Sequence, residues 1–218
     1  MAQDDNLATT PQSTLRRRPD RGSRERTTVN AIIDEALVCH IGFVDEGAAV
    51  VIPATPWRID GWLYLHGSAS SRLIRHIASG APVCVSVALV DGLVFARSAM
   101  RHSTDYRSVV LFGRGEQVDA PVEKAAALMR LIDKLSPGRA GMVRPPNDRE
   151  LAVTGVVRLA ITEGSAKVRS GAPTESDLDS TWNVWTGTVP VTMAAGTPVA
   201  GDSNAALPIP ALPNWLRS

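Results

Sequence analysis

The segment from His66 to Arg72, HGSASSR, combines the residue types that best suit a ligand site in this chain. It joins a predicted strand to a predicted helix, so free backbone amides and three serine hydroxyls lie together there. Arg72 would lie in the first helical turn, where a positive charge opposes the helix dipole unless an anion lies beside it. The pattern therefore indicates a phosphate-binding junction. An ordinary serine-rich helix cap with a surface arginine explains it equally well.

A proline interrupts the apolar run from Val50 to Thr55. Because proline cannot donate to a β-ladder, Pro53 indicates an edge strand or a bulge. A bulge would turn backbone N–H and C=O groups away from the ladder, where they could bind the edge of a flat heterocycle. A plain edge strand is the alternative interpretation.

The common catalytic and metal-binding signatures are missing. The candidate metal ligands are four histidines and two cysteines, at His40, His66, His76, His102, Cys39 and Cys84. They show neither zinc-motif spacing nor a CxxC pair, so we expect no metal site and two buried free thiols. The sequence also lacks a GxSxG elbow, a phosphate-binding P-loop and a GxGxxG fingerprint.

Composition excludes several classes of protein. The chain has 218 residues, 44% hydrophobic and 21% charged, with a net charge of +1, which is typical of a globular protein without affinity for nucleic acid or membranes. No apolar run reaches the about 18 to 20 residues that span a bilayer, and the polar N-terminus does not resemble a signal peptide. We therefore expect a cytoplasmic protein.

The chain divides into three predicted parts. Residues 1–26, whose last twelve hold six arginines against two acids, are predicted to be a disordered basic extension; an arm that contacts phosphates is the alternative. Residues 27–194 form the predicted domain, and residues 195–218 form a tail rich in proline and alanine.

Periodicity predicts a mainly β fold with two or three short helices. About seven strands are expected, over residues 36–44, 48–57, 62–66, 82–95 (broken at Asp91-Gly92), 106–118, 151–161 and 165–169. Helices are expected from Thr27 or Thr28, from Arg72 to Gly80, and from Val122 to Leu135. Short strands with acidic and glycine turns indicate antiparallel pairing, and the inserted helices favour a small Greek-key barrel.

Six motifs together resemble one known family, the pyridoxamine 5′-phosphate oxidase-like FMN-binding split barrels. In order they are VVIPATPW, DGWLYLHGSASSRLIRHI, YRSVVLFGRGEQV, SPGRAGMVRPP, SAKVRSGAP and WTGTVPV. The match is closest to the branch of flavin-nucleotide-binding and nitroimidazole-resistance-like proteins and runs from about Thr28 to Pro190. The resemblance implies a split β-barrel and a homodimer with FMN at the subunit interface.

The resemblance also implies residue roles. The isoalloxazine ring would lie along Val50, Val51, Ile52, Pro53, Ala54 and Thr55, and the ribityl chain and phosphate against His66, Gly67, Ser68, Ser71 and Arg72. Ser108 would reach the flavin, commonly from the other subunit, and Trp185 would cover the ring. His66 is the candidate catalytic residue, as a substrate or redox contact; a strand histidine with satisfied contacts is the alternative.

Two departures from the family argue against vitamin B6 oxidation. Ser71-Arg72 stands where the oxidases have an Arg-Lys pair, and their C-terminal arginine–histidine motif is not visible. The resemblance thus implies an FMN-dependent oxidoreductase that moves hydride or electrons between a nicotinamide or other donor and a small organic substrate. The alternatives are a non-enzymatic flavin-binding or storage module, and a split barrel that binds haem or a deazaflavin.

Overall fold

Ten strands and four α-helices occur in the computed structural model, which describes residues 5–201 and 207–216. The strands are β1 (Gly22–Ser23), β2 (Cys39–Asp45), β3 (Ala48–Ala54), β4 (Trp57–Ile59), β5 (Trp62–Ser68), β6 (Pro82–Phe95), β7 (Ser103–Gln117), β8 (Thr154–Ala160), β9 (Glu163–Arg169) and β10 (Gly187–Pro190). The helices are α1 (Arg26–Glu35), α2 (Arg72–Ala78), α3 (Pro121–Leu135) and α4 (Asp148–Val153). The prediction of a mainly β fold with short helices is confirmed.

Two compact units divide the chain. The first unit comprises Met1–Ala54, Val83–Gly113 and Ile161–Thr192, and the second comprises Thr55–Pro82, Arg114–Ala160 and Met193–Ser218. Strand β7 contributes its residues up to Gly113 to the first unit and its last four to the second.

The sheet of the first unit has the order β3-β2-β6-β7, with β9 paired to β7 and β1, and β10 paired to β6. Strand β3 pairs antiparallel with β2 over its whole length, from Ala48↔Asp45 to Ala54↔Cys39, and has no second partner in the described chain. Pro53 therefore lies on an edge strand, as its missing donor predicts. Alternate residues of β2, namely Cys39, Ile41 and Phe43, are buried in the core.

The second unit has the strand order β4-β5-β8, continued by residues 115–117 of β7. Strand β5 pairs antiparallel with β8 over seven residues, from Trp62↔Ala160 to Ser68↔Thr154. Strands β4 and β5 and helix α3 share an apolar core, formed by Trp57, Tyr64, Val118, Ala127, Leu131 and Val156. Helix α2 buries Leu73, Ile74 and Ile77, and this apolar face fixes the helix beside the end of β5.

Residues 5–26 are ordered, which differs from the predicted disordered extension. Leu7 is only 1% exposed, and Gly22 and Ser23 pair with Lys167 and Ala166 on β9. The prediction overlooked that one apolar side chain and a short backbone ladder can anchor an otherwise polar segment. Residues 1–4 of that predicted extension lie outside the described residues.

Other differences have local causes. Residues predicted to begin a strand at Leu151 form helix α4 instead, because Asn147 and Glu150 make a reciprocal capping box. Strand β6 is not broken at Gly92, because Gly92 pairs with Pro190 of the unpredicted strand β10. In the C-terminal tail, Ser136 Oγ donates to the carbonyl of Ala211 at 2.7 Å, and residues 202–206 and 217–218 lie outside the described residues. None of the described helices is both long and apolar enough to cross a membrane.

Candidate functional site

The junction between β5 and α2 has the geometry that the sequence predicts. Strand β5 ends at Ser68, and Ser71 caps α2, its Oγ accepting from the backbone N–H of Ile74 at 3.4 Å. A turn links the two elements, with the N–H of Ser71 donating to the carbonyl of Ser68 at 2.9 Å. Arg72 is consequently the first residue of the helix.

Exposed donors surround this turn. The hydroxyls of Ser68 and Ser70 lie 3.0 Å apart at the surface, and Arg72 is exposed beside them. Gly67 lets α2 pack close to β5, since a Cβ there would come within 3.3 Å of Ile74 Cγ1. Hydroxyls and a guanidinium are donors that phosphate oxygens accept strongly. The residues present therefore fit the phosphate of a flavin nucleotide.

His66 lies on the strand immediately before this turn. Its ring meets the indole of Trp57 edge-on, with 5.7 Å between centroids and 60° between planes. Although the side chain reaches the surface, partial burial lowers its pKa below the usual 6.5. His66 therefore stays neutral at pH 7, and a neutral imidazole can accept a proton or coordinate a metal.

Trp57 is an aromatic partner of His66 that the sequence interpretation did not single out. It is 1% exposed and stacks on Tyr64 at 5.7 Å between centroids. Its indole Nε1 is buried and lacks a hydrogen-bond partner among the described residues. Its position could have indicated a role at the site, because it ends the motif VVIPATPW, two residues after the segment assigned to the isoalloxazine ring.

Residues 50–54 of the proposed flavin strand lie on β3 in the first unit, while Thr55 follows in the second. Val51 is 66% exposed, and Val50, Ile52 and Ala54 are half-buried on the opposite face. The outer side of this edge strand thus presents backbone groups and small apolar side chains, which suit the edge and face of a flat heterocycle.

Ser108 and Trp185 also lie in the first unit. Ser108 Oγ donates to the carbonyl of Lys167 at 3.2 Å, so its hydroxyl hydrogen is engaged within the sheet. Trp185 is exposed and tilts against Phe95, with 5.9 Å between ring centroids. Their roles toward a flavin stay predictions.

The chain brings some of these residues together and separates others. His66, Gly67, Ser68, Ser71 and Arg72 form one continuous site in the second unit. In the first unit, Pro53 pairs with His40 of β2, which in turn pairs with Ser86 of β6. Trp185 contacts Phe95, which lies nine residues after Ser86 on β6. Nine extended residues span about 30 Å, so one copy of the first unit does not place Trp185 beside Pro53.

A charged cluster in the first unit was not predicted. The guanidinium of Arg107 donates to both Glu35, at 2.8 Å, and Asp91, at 2.7 Å. Hydrogen bonds to these two carboxylates raise the pKa of Arg107. The side-chain hydrogen bonds of Arg107 join β7 to α1 and to β6. We therefore interpret Arg107 as a residue that holds these three elements together. A lone arginine in the apolar strand YRSVVLFG was the available signal.

Comparison with known proteins identifies the fold. A family model described as pyridoxamine 5′-phosphate oxidase matches residues 25–168. The putative 5-nitroimidazole antibiotic resistance protein from Bacteroides thetaiotaomicron shares 21% identity and a TM-score of 0.58, covering 67% of this chain and 86% of that one. The predicted split-barrel fold is confirmed. No curated protein matches this chain.

Two solved structures are similar over nearly the whole chain. The flavocytochrome Anf3 from Azotobacter vinelandii has 32% identity and a TM-score of 0.85, covering 95% of each chain. The FAD and haem binding protein from Mycobacterium smegmatis has 35% identity and a TM-score of 0.82, covering 87% of this chain and 94% of that one.

Proposed function

Because this chain belongs to the pyridoxamine 5′-phosphate oxidase family, we propose that it is a flavin-binding redox protein that also binds haem. The observation that carries the proposal is the similarity to the flavocytochrome from Azotobacter vinelandii, which extends over 95% of both chains. The Mycobacterium smegmatis protein, described as binding FAD and haem, supports the same pair of cofactors. When bound, a flavin would supply hydride and single-electron chemistry and a haem would supply one-electron chemistry, which the protein's own side chains do not provide.

The second unit offers the residues that would hold the flavin phosphate. The hydroxyls of Ser68 and Ser70 and the guanidinium of Arg72 are exposed at one turn, where they can donate to phosphate oxygens. The assignment of the isoalloxazine ring to β3, around Val51 and Pro53, is what the family resemblance implies and stays a separate prediction.

FMN is the flavin that the family resemblance implies, and FAD is the second candidate. The description of the Mycobacterium smegmatis relative favours FAD. Both flavins share the ring, the ribityl chain and the first phosphate, so the residues named above serve either one. The mass of the flavin released from the denatured protein distinguishes them.

His66 is the residue that we propose as a ligand of haem iron, in place of the substrate or redox contact beside the flavin that the sequence predicts. Its ring nitrogens have no hydrogen-bond partner among the described residues, whereas a ring nitrogen of His76 lies 3.3 Å from the carbonyl of Pro82. Iron coordination requires the neutral imidazole, and burial lowers the pKa of His66. The indole of Trp57 adds an apolar wall beside the ring.

An enzymatic role is proposed for the bound flavin, between a nicotinamide or other donor and a small organic substrate. A storage module would bind the same cofactor without turnover. Anaerobic reduction by NADPH, followed by reoxidation with a nitroaromatic compound, distinguishes the two: an oxidoreductase bleaches and recovers its flavin bands over repeated cycles, and a storage module does neither.

A homodimer is part of the proposal. The outer side of β3 has no strand partner in the described chain, and Val51 on it is 66% exposed. A second subunit that covers this strand would complete the enclosure of a flavin ring. Light scattering on the coloured protein should give twice the chain mass, and a stable coloured monomer would contradict the proposal.

The decisive experiment is the absorption spectrum of the purified protein, before and after reconstitution with FMN, FAD and haemin. We expect flavin bands and a Soret band. His66→Ala should lose the Soret band. The control His76→Ala, at a histidine in the last turn of α2 whose ring nitrogen lies 3.3 Å from the carbonyl of Pro82, should keep the Soret and flavin bands. A folded protein that takes up neither cofactor would overturn the proposed function.

A further inference from the structure

The arginine-rich segment that precedes α1 forms one wall of a pocket. In the first unit, residues of the segment 9–24 and Ser165 of β9 line an open pocket of about 410 Å³. This volume falls within the range of small-molecule sites, roughly 300 to 1,000 Å³. The proposed flavin and haem residues do not line it.

The walls of this pocket are fixed on several sides. The N–H of Leu7 donates to the carbonyl of Arg24 at 2.9 Å. The N–H of Ala8 donates to the carbonyl of Thr162 at 2.8 Å. Lys167 Nζ donates to the carbonyl of Arg17 at 3.0 Å. These bonds tie the segment to β9 and to the residue before it, so the pocket does not depend on a loose arm.

The lining is rich in hydroxyls and carries a positive charge. Thr9, Ser13, Ser23 and Ser165 provide hydroxyl groups, Arg24 provides the guanidinium, and none of the nine lining residues is acidic. Ser13 and Ser165 are 5% and 7% exposed. Their hydroxyls donate to the carbonyls of Thr10 and Ser13, each at 3.4 Å, so toward a ligand their oxygens would serve as acceptors.

Several of these donors remain available. Arg24 Nη1 donates to Thr9 Oγ1 at 2.7 Å, and a guanidinium has five N–H donors in all. Ser23 Oγ accepts from the N–H of Glu25 at 3.1 Å, which leaves its own O–H to donate. Fixed hydroxyl donors beside a guanidinium match the oxygens of a phosphate ester, and further hydroxyls match a sugar.

We propose that this pocket binds a sugar phosphate, either free or as part of a mononucleotide. Arg24 would contact the phosphate, with Thr9 and Ser23 as further donors, and Ser13 and Ser165 would face the sugar. The exposed Arg16 and Arg17 beside the pocket would attract the anion. This site is separate from the proposed cofactor site and does not rest on flavin or haem binding.

Calorimetric titration of the full-length protein, with its cofactors as purified, tests the proposal. Ribose 5-phosphate and adenosine 5′-monophosphate should bind with dissociation constants below about 1 mM, and ribose and adenosine should not. The flavin spectrum is recorded throughout. Displacement of flavin by the phosphate esters would assign their binding to the flavin site and overturn the proposal.

Arg24→Gln should weaken binding of both phosphate esters by at least about tenfold, because a charge-assisted contact is lost. Thr9→Ala, which removes the hydroxyl that Arg24 contacts, should also weaken it. Arg130→Gln, at an exposed arginine on α3 of the second unit, is the matched control and should bind as the parent does. Unchanged affinity in both pocket variants would overturn the proposal.

A nucleic-acid role for the same arginines gives a different result. Single-stranded DNA would then bind more tightly than either phosphate ester, with a steep dependence on salt. Its binding would weaken in an Arg16→Gln/Arg17→Gln variant and not in Thr9→Ala. That outcome would replace the sugar-phosphate site with a nucleic-acid contact.

Discussion

The imidazole of His66 lies edge-on to the indole of Trp57, with 5.7 Å between the ring centroids. The indole removes water from one side of the imidazole, and desolvation disfavours its charged form. Burial accordingly lowers the pKa of His66 below 6.5. Burial of His66 thus makes folding stability depend on pH.

The free energy of unfolding should fall as the pH drops below about 6.5. In that range the unfolded chain binds a proton at His66 that the folded chain resists, so protonation favours unfolding. His66→Gln should remove this part of the dependence. Urea unfolding of the cofactor-free protein at about pH 8 and about pH 5.5 measures it. An identical pH dependence in parent and variant would show that His66 is not desolvated in the folded protein.

Arg72→Ala should weaken flavin binding more than Arg75→Ala. Arg72 is the first residue of α2, beside the exposed hydroxyls of Ser68 and Ser70, whereas Arg75 lies in the last turn. A charge-assisted contact to phosphate contributes on the order of 1.5–3 kcal/mol, so the loss of Arg72 should weaken binding roughly 10- to 150-fold. Flavin titration of apo-protein measures both variants. Equal affinities in the Arg72 variant and the parent would place the phosphate elsewhere.

The β5–α2 junction was predictable because its signals are local. Ser71 accepts from the N–H of Ile74 and Gly80 adopts φ +72° after the helix, and both residue types carry these conformational preferences themselves. The edge position of Pro53 was predictable for the same reason. The capping box of Asn147 and Glu150 was equally local and was overlooked.

Other features depend on distant partners and left no local signal. Leu7 is an isolated apolar residue in a polar segment, and its burial depends on backbone bonds to Arg24 and, through Ala8, to Thr162. Strand β10 forms because Thr188 and its neighbours pair with β6, nearly a hundred residues earlier in the chain. Periodicity within a short window cannot identify such a pairing.

Leu7→Ala should destabilise the protein by about 2–5 kcal/mol, because it removes a fully buried side chain. Leu178→Ala is the matched control. That leucine is 89% exposed, and its truncation should change the free energy of unfolding by less than about 0.5 kcal/mol. Chemical denaturation of the three proteins gives both values. If both variants unfold at the same denaturant concentration as the parent, the segment before α1 contributes no packing.

Gly155→Ala should destabilise the protein and weaken flavin binding together. Gly155 pairs with Gly67 across β5 and β8, and a Cβ there would lie 2.4 Å from Ile74 Cγ2. Such a contact forces α2 away from the sheet, at a cost of about 1–3 kcal/mol for overpacking. Because α2 begins at Arg72, its displacement also moves the proposed phosphate contacts.

A double-mutant cycle with Ile74→Ala tests this cause. Ile74 is 2% exposed, so its truncation alone leaves a cavity and destabilises the protein. In the Ile74→Ala variant the methyl added at residue 155 no longer meets Cγ2 of residue 74. Gly155→Ala should therefore destabilise this variant much less than it destabilises the parent. Such non-additivity is expected of residues in contact and not of distant sites. Gly141→Ala is the control, since a Cβ there meets nothing within 4 Å. If the losses of unfolding free energy add in the double variant, the contact with Ile74 does not position α2. If Gly155→Ala leaves the flavin affinity unchanged, the packing of α2 against β8 does not affect the cofactor site.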